Sequence, residues 1–341
     1  MSPIEKTGRQ APRGRQCGFS MLEMMVTLVI FLGVAGIVMM AMMQMTNTQG
    51  TVANRTAMHS SVRSATELLQ QEIGQAGKIA LPTPPNGGPT KMVTAITTAQ
   101  ITDPLIGYNG AVVLDKVGGV YNGMLLVVDS GDQEETVAVT NLVAATRTFT
   151  GTFYLTHVAG NVPVRVAGAF ANGIILPSPW NTSDPSNGKN LKMYGDINDD
   201  GNMVYVVYKC DTRAGAGQHR LSRSVAAYND TAPGSDDTIL DNITDNPSDP
   251  GQIGPAPCFK YQVKSVSPNN YVVDVSVTLT VLSQNLDPQT HQIQKETKAL
   301  LNVSPRNIFE GWELAGAGVA NRIQPPPGSV ATLSSATVLV P

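Results

Sequence analysis

Gly18-Phe19-Ser20-Met21-Leu22-Glu23, together with the apolar run Met24–Met43 behind it, decides how the rest of the chain is read. The run is twenty residues long (24 to 43) and holds no charge and no proline. At about 1.5 Å per residue it reaches roughly 30 Å, the thickness of a bilayer's hydrocarbon core, so the sequence predicts a membrane-spanning helix. Glu23 stands at its edge, where a carboxylate is costly in lipid and calls for a partner. Upstream, Lys6, Arg9, Arg13 and Arg15 against Glu5 give the leader a net charge of about +3, which favours a cytoplasmic N-terminus. An ordinary secretory signal fits poorly. Such a signal is cut at small residues after a shorter apolar segment, whereas this run ends in Met42-Met43-Gln44-Met45.

The arrangement resembles the class III signal of type IV prepilins and pseudopilins. The resemblance implies that a prepilin peptidase cuts after Gly18, that Phe19 becomes the N-methylated first residue, and that Glu23 is the assembly acid. The physics can be stated separately. Cleavage frees an amine on Phe19, four residues from Glu23, and both charges are poorly solvated at the membrane edge. In a staggered stack of helices, Glu23 of one subunit meets the Phe19 amine of its neighbour. Breaking a buried pair of this kind costs about 3–5 kcal/mol, so Glu23 would set the register of a fibre built by a head-to-tail contact that does not close. The alternative is a plain single-span anchor in which Glu23 marks the interface.

The chain has 341 residues and a net charge of −3, leaving about −6 after the leader is removed, which argues against general nucleic-acid binding. Charged residues are only 14% and aromatics 5%, beside 32 glycines and 23 prolines, which fits a loop-rich β domain better than a helical enzyme. Of three cysteines, Cys17 falls in the leader. Cys210 and Cys258 remain for an oxidising compartment, where a disulfide is the expectation and two buried thiols the alternative. The bridge would contribute about 3–4 kcal/mol through loop closure.

The expected fold class is α+β, with a long N-terminal helix packed on an antiparallel β-rich head. Residues 1–18 are the leader and 19–78 the helix, with its transmembrane segment at 24–43. Beyond the membrane the helix continues as an amphipathic rod, with apolar residues at Val52, Met58, Val62, Ala65, Leu69, Ile73 and Ala76. Gly77 is the predicted stop, and Gly33, Gly36 and Gly50 are predicted soft points. Residues 79–90 read as a Pro/Gly-rich linker. Residues 91–176 read as short strands at Met92–Ile101, Ala111–Leu114, Met124–Val128, Thr136–Val143, Arg147–Leu155, Val162–Val166 and Gly173–Leu176. They form either an insertion or a subdomain of their own, and resemble no family.

Residues 177–310 form the pilin-like head. Pro177–Lys192 and Asn229–Pro257 read as polar loops. The strand Tyr271–Leu282 alternates strictly and makes a hairpin with Ile293–Val303 around Asn285-Leu286-Asp287-Pro288. Residues 311–341 read as an irregular tail. The stretch 68–77, Leu240-Asp241-Asn242-Ile243-Thr244, the alternating strand and Val303-Ser304-Pro305-Arg306-Asn307 are similar to PilW-type minor pilins and J-type pseudopilins.

Outside the helix, Asp196, Asn198 and Asp200 with a glycine at 201 and the carbonyl of Asn202 match the first half of a calcium loop. The twelfth position is Val207, so the closing acid is missing and a remote one would have to supply it. The competing reading is a polar turn. Asp236, Asp237, Asp241, Asp245 and Asp249 read as a solvated loop, and Arg213, His219, Arg220 and Arg223 as a solvated basic face. The four histidines (59, 157, 219, 291) show no metal spacing, and no catalytic motif is present.

The expected protein is therefore not an enzyme but a minor, low-copy pilus subunit at the tip or in priming. It begins as an inner-membrane, single-pass precursor with an extracytoplasmic head, and then passes to the pilus or cell surface. Its partners are the peptidase, other pilin or pseudopilin subunits and the membrane. The alternatives are a J-type minor pseudopilin of type II secretion, and a membrane-anchored calcium-dependent adhesion module that never polymerises.

Overall fold

The structure, a computed structural model, describes residues 18, 20–79, 90–160, 162–166, 168–176, 188–213, 215 and 218–340. Phe19, the leader before Gly18, residues 80–89 of the linker and 177–187 of the first polar loop lie outside the described residues.

Helix α1 spans Met21–Gln75, 55 residues or about 80 Å of rise. It starts where the Ser20 carbonyl accepts the Glu23 and Met24 N–H groups (3.0 and 3.1 Å). It ends before Gly77, whose φ of +78° is the left-handed conformation a glycine adopts without a Cβ clash. The predicted stop therefore holds, while the predicted soft points do not interrupt the helix.

The chain divides into two compact units. The first holds residues up to Ala53 together with Asp287–Gln292. Its helical segment is long and apolar enough to cross a membrane, with a mean hydropathy of 2.5 over its best window and none of that window buried. Leu22, Leu28, Phe31, Ile37 and Met40 all lie open. The Thr27 hydroxyl donates to the Glu23 carbonyl (2.9 Å), so it presents no bare donor to an apolar medium. Asp287 collects the Thr51 hydroxyl, the Gln289 N–H and the Thr290 hydroxyl, and Gln289 reaches Thr48 (2.9 Å). A Cβ on Gly50 would stand 2.9 Å from Pro288, so this glycine serves a close approach and not a bend.

The second unit is Asn54–Leu286 with Ile293–Pro341. In chain order its first strands are β1 (Lys91–Met92), β2 (Tyr108–Val113), β3 (Leu125–Val128), β4 (Glu135–Ala138), β5 (Asn141–Val143), β6 (Thr148–Phe153), β7 (Val162–Val166), β8 (Ala169–Phe170) and β9 (Ile174–Ile175). They build two small antiparallel sheets, β1-β7-β3-β4 and β2-β6-β5. Of the predicted strand Met92–Ile101 only the start pairs as a strand, followed by one bridge from Ile96 to His157. A central sheet follows from β10 (Asn190–Gly195), β11 (Val204–Asp211), β12 (Arg220–Ala227) and β13 (Asp237–Asp241), in the order β13-β12-β11-β10-β9. The last sheet has β16 (Asn269–Leu282) pairing with β14 (Ile243–Thr244), β15 (Phe259–Val266) and β17 (Lys295–Val303). The predicted hairpin of β16 and β17 is thus present.

Three expectations are corrected. β10 begins inside the predicted polar loop Pro177–Lys192, and β13 and β14 lie inside the predicted polar stretch Asn229–Pro257. The tail is not irregular: it carries α2 (Arg306–Gly316), β18 (Ile323–Gln324) and α3 (Gly328–Ala336). β18 pairs in parallel with β8, and Val330 and Leu333 of α3 are buried.

The central sheet is covered on both faces. On one face Leu191, Met193, Val206, Tyr208, Cys210 and Leu221 share a core with Met58, Val62, Ala65, Leu69, Ile73 and Ala76 of α1. On the other, Tyr194, Met203, Tyr205, Val207 and Ala226 share a core with Phe149, Phe153, Phe170, Val330 and Leu333. Double burial explains why Met203–Tyr208 reads as an unbroken apolar run. It also makes the 91–176 region a covering layer of the head. Where α1 ends, the chain is threaded between strands: Gly77 N–H donates to the Tyr194 carbonyl (2.9 Å), Phe170 N–H to Gly77 (3.2 Å) and Asp196 N–H to Lys78 (2.8 Å). A Cβ on Gly173 would sit 2.3 Å from the Gly77 Cα, so this crossing depends on a missing side chain.

Candidate functional site

Two of the predicted processing and assembly residues, Gly18 and Glu23, are described at the start of α1. Gly18 and Ser20 are described and Phe19 is not. Glu23 lies in the first turn, where the unsatisfied N–H groups favour an anion, and its side chain is exposed. Among the described residues it joins no ion pair. The surface continuing from it is apolar: Met24, Met25, Leu28 and Phe31 are each more than half exposed. The arrangement presents one anion at the rim of an uncovered apolar cylinder.

The loop at Asp196 is organised around a lysine. Asp196 is buried, and its Oδ1 accepts the backbone N–H groups of Asp200 and Gly201 (3.0 and 3.2 Å). Its Oδ2 lies 3.3 Å from Lys78 Nζ, which also pairs with Asp199. Asp200 accepts the Asn202 N–H (2.8 Å), and the Asn198 side chain is exposed. Two acids of this loop, Asp196 and Asp199, therefore pair with an ammonium group arriving from just past the end of α1. Among the described residues no three acids, histidines or cysteines converge as metal ligands.

Cys210 and Cys258 form a disulfide that joins the end of β11 to the residue before β15. Both are buried in the helix-side core. The predicted basic face does not gather. Arg213 pairs with Asp211 (2.8 Å), the His219 ring bonds the Ile243 carbonyl (2.9 Å), and Arg223 turns inward. The predicted acidic loop is largely paired as well. Asp236 meets Lys209 (2.8 Å), Asp245 meets Thr212, Asp249 meets Lys260, and Asp237 and Asp241 lie on β13.

Two charged clusters were not legible in the sequence. In the first, Glu72 of α1 accepts both a bidentate grip from Arg223 (2.6 and 3.2 Å) and the Tyr208 hydroxyl (2.8 Å). In the second, His157 is fully buried between two carboxylates: Nδ1 is 3.0 Å from Asp129 and Nε2 is 2.7 Å from Glu135. Burial pulls the His157 pKa down, but the hydrogen bonds to Glu135 and Asp129 outweigh it and hold it above the ordinary imidazole value. Asp129 and Glu135 lie 28 and 22 residues before His157, a separation that no spacing rule covers.

No protein-family model, curated protein or solved structure matches this chain.

Proposed function

We propose that this chain is a minor, low-copy subunit of a type IV pilus, cleaved after Gly18 by a prepilin peptidase and assembled through its N-terminal helix. One observation carries the reading: an exposed carboxylate, Glu23, in the first turn of a long helix whose apolar N-terminal segment no described residue covers. Lipid covers that helix in the precursor, and the helices of neighbouring subunits cover it after assembly. The Phe19 amine of a neighbour is then the cation that Glu23 accepts. On this reading the precursor sits in the inner membrane and the head, disulfide included, folds outside the cytoplasm. The head takes no part in catalysis or nucleic-acid binding.

Mass spectrometry of the protein from cells with a working peptidase tests the processing step. The expected N-terminus is a methylated Phe19, and a chain that still begins upstream of it overturns the proposal. Glu23→Ala tests assembly: the variant is expected to insert normally and to be lost from the fibre. The calcium-dependent anchor is disfavoured because Lys78 already pairs with both Asp196 and Asp199.

A further inference from the structure

His157 belongs to a short segment, 155–160, that crosses the end of the 91–176 layer. Its backbone pairs with Ile96 in both directions, each bond at 2.9 Å. Its ring reaches the two ends of the β3–β4 connection: Asp129 just after β3, and Glu135 at the first position of β4. We propose that His157 is a pH-operated staple which, when protonated, ties the 129–135 turn to the 155–160 segment and lets it go at the Asp129 end when it loses its proton.

The argument rests on donor and acceptor arithmetic. A neutral imidazole has one N–H and one lone pair, whereas an imidazolium has two N–H donors. Both ring nitrogens face carboxylate oxygens, which only accept when ionised. The observed geometry is satisfied on both sides by the cation alone. On deprotonation one carboxylate must face a lone pair at hydrogen-bond distance, and that contact opens.

The contact that opens is the one to Asp129. Glu135 is the nearer partner and the less exposed, with a side chain 8% open against 21% for Asp129. Glu135 is also held by the N–H groups of Tyr154 (2.7 Å) and Leu155 (3.1 Å). Asp129 Oδ1 also accepts the N–H of the adjacent Ser130 (2.9 Å), so its more exposed carboxylate can part from the ring at Oδ2 and still keep a partner.

Among the described residues no substitute cation reaches the ring. Arg165 of β7 donates to the Asp129 backbone carbonyl and pairs with Glu134 (2.8 and 2.9 Å). Arg322 from the tail also pairs with Glu134 (2.9 Å). From β6, Phe153 meets the imidazole in a T-shaped ring contact (5.9 Å between centroids) and offers no charge. From the turn itself, Gln133 reaches Thr156 and not the ring. The groups facing His157 are therefore the two carboxylates, with Arg165 and Arg322 committed elsewhere.

The test is an NMR pH titration of the full chain in detergent with labelled histidine, assigned by His157→Gln. The expected result is a His157 midpoint above about 6.5, the value of a free histidine. In Asp129→Asn that midpoint is expected to fall, because the amide can donate to the neutral ring. Hydrogen exchange over 129–135, corrected for its intrinsic pH dependence, is expected to accelerate severalfold as pH passes the midpoint. In Asp129→Asn it is expected to stay flat. A midpoint at or below the free value, or one that Asp129→Asn leaves unmoved, overturns the proposal. If His157→Gln fails to fold, Asp129→Asn identifies the resonance by its shift, and the absence of any shifted resonance counts against the staple.

Discussion

Glu72 is one carboxylate that fixes where α1 meets the central sheet. Its side chain is 6% exposed and that of Arg223 is 19% exposed, so the pair is largely out of water. Replacing Glu72 by Gln leaves the guanidinium buried without its anion. The expected loss is about 3 kcal/mol in chemical unfolding of the detergent-solubilised protein, against little effect from the exposed pair Arg63–Glu67. Lys78 has a comparable role six residues on, just past the C-terminal end of α1. Because its ammonium already pairs with Asp196 and Asp199, calcium is expected to leave the wild-type melting temperature unchanged. In Lys78→Met, Asp196 loses its cation, and the melting temperature is expected to drop and to be partly restored by calcium. A wild-type protein stabilised by calcium would show that the ion displaces the lysine. None of these pairings was visible in the sequence, since Glu72 and Arg223 are 151 residues apart and neither sits in a motif. The sequence reading placed Arg223 on a solvated face because a charge counted alone looks like surface.

Elements built on a repeating pattern were the legible ones. Met58, Val62, Ala65, Leu69, Ile73 and Ala76 recur at steps of three and four, and each is 6% exposed or less. Val273, Val275, Val277, Leu279 and Val281 alternate, and each is 3% exposed or less. Leu69→Ala, at a position with no exposure, is expected to cost about 2–5 kcal/mol, measurable as a lower denaturant midpoint. Gly173→Ala is expected to cost at least as much as an ordinary core truncation, because its Cβ meets backbone and not a movable side chain. The element that misled was β10. Its start reads as loop because Asn190 and Lys192 are polar, yet the tail satisfies both. Asn190 exchanges hydrogen bonds with Val340 (3.0 and 3.1 Å), and Lys192 donates to Ser334 (2.8 Å). A strand whose polar groups are paired by residues 140 or more positions away carries no local signature.

For the second unit the disulfide and the titrating groups set the limits of stability. Cys210 and Cys258 are 48 residues apart, and reduction is expected to lower unfolding stability by about 4 kcal/mol in the chain-entropy picture. Asp211 is held below its ordinary pKa by the Arg213 side chain, so its contribution exists above pH 3.8 and is lost as pH falls. His157 lies above its ordinary value, so its contribution is complete below about 6.5 and is lost as pH rises through the folded midpoint. Stability from these two groups is therefore expected to peak in mildly acidic solution. Thermal unfolding followed from pH 3 to 9 reads this directly, and His157→Gln is expected to flatten only the alkaline side. By itself the sequence determined the long helix, its apolar first half and its stop at Gly77, the face the second half buries, and the two cysteines available to pair. Each of these follows from residue type and local period, which act within a few turns of chain. Only the tertiary structure decided that the Asp196 loop closes on a lysine, that a Gly/Ala/Pro-rich tail folds into two helices against the head, and that a lone histidine lies between two acids. Those outcomes depend on which distant groups burial brings together, and an unpaired buried charge costs too much for such meetings to be left to chance.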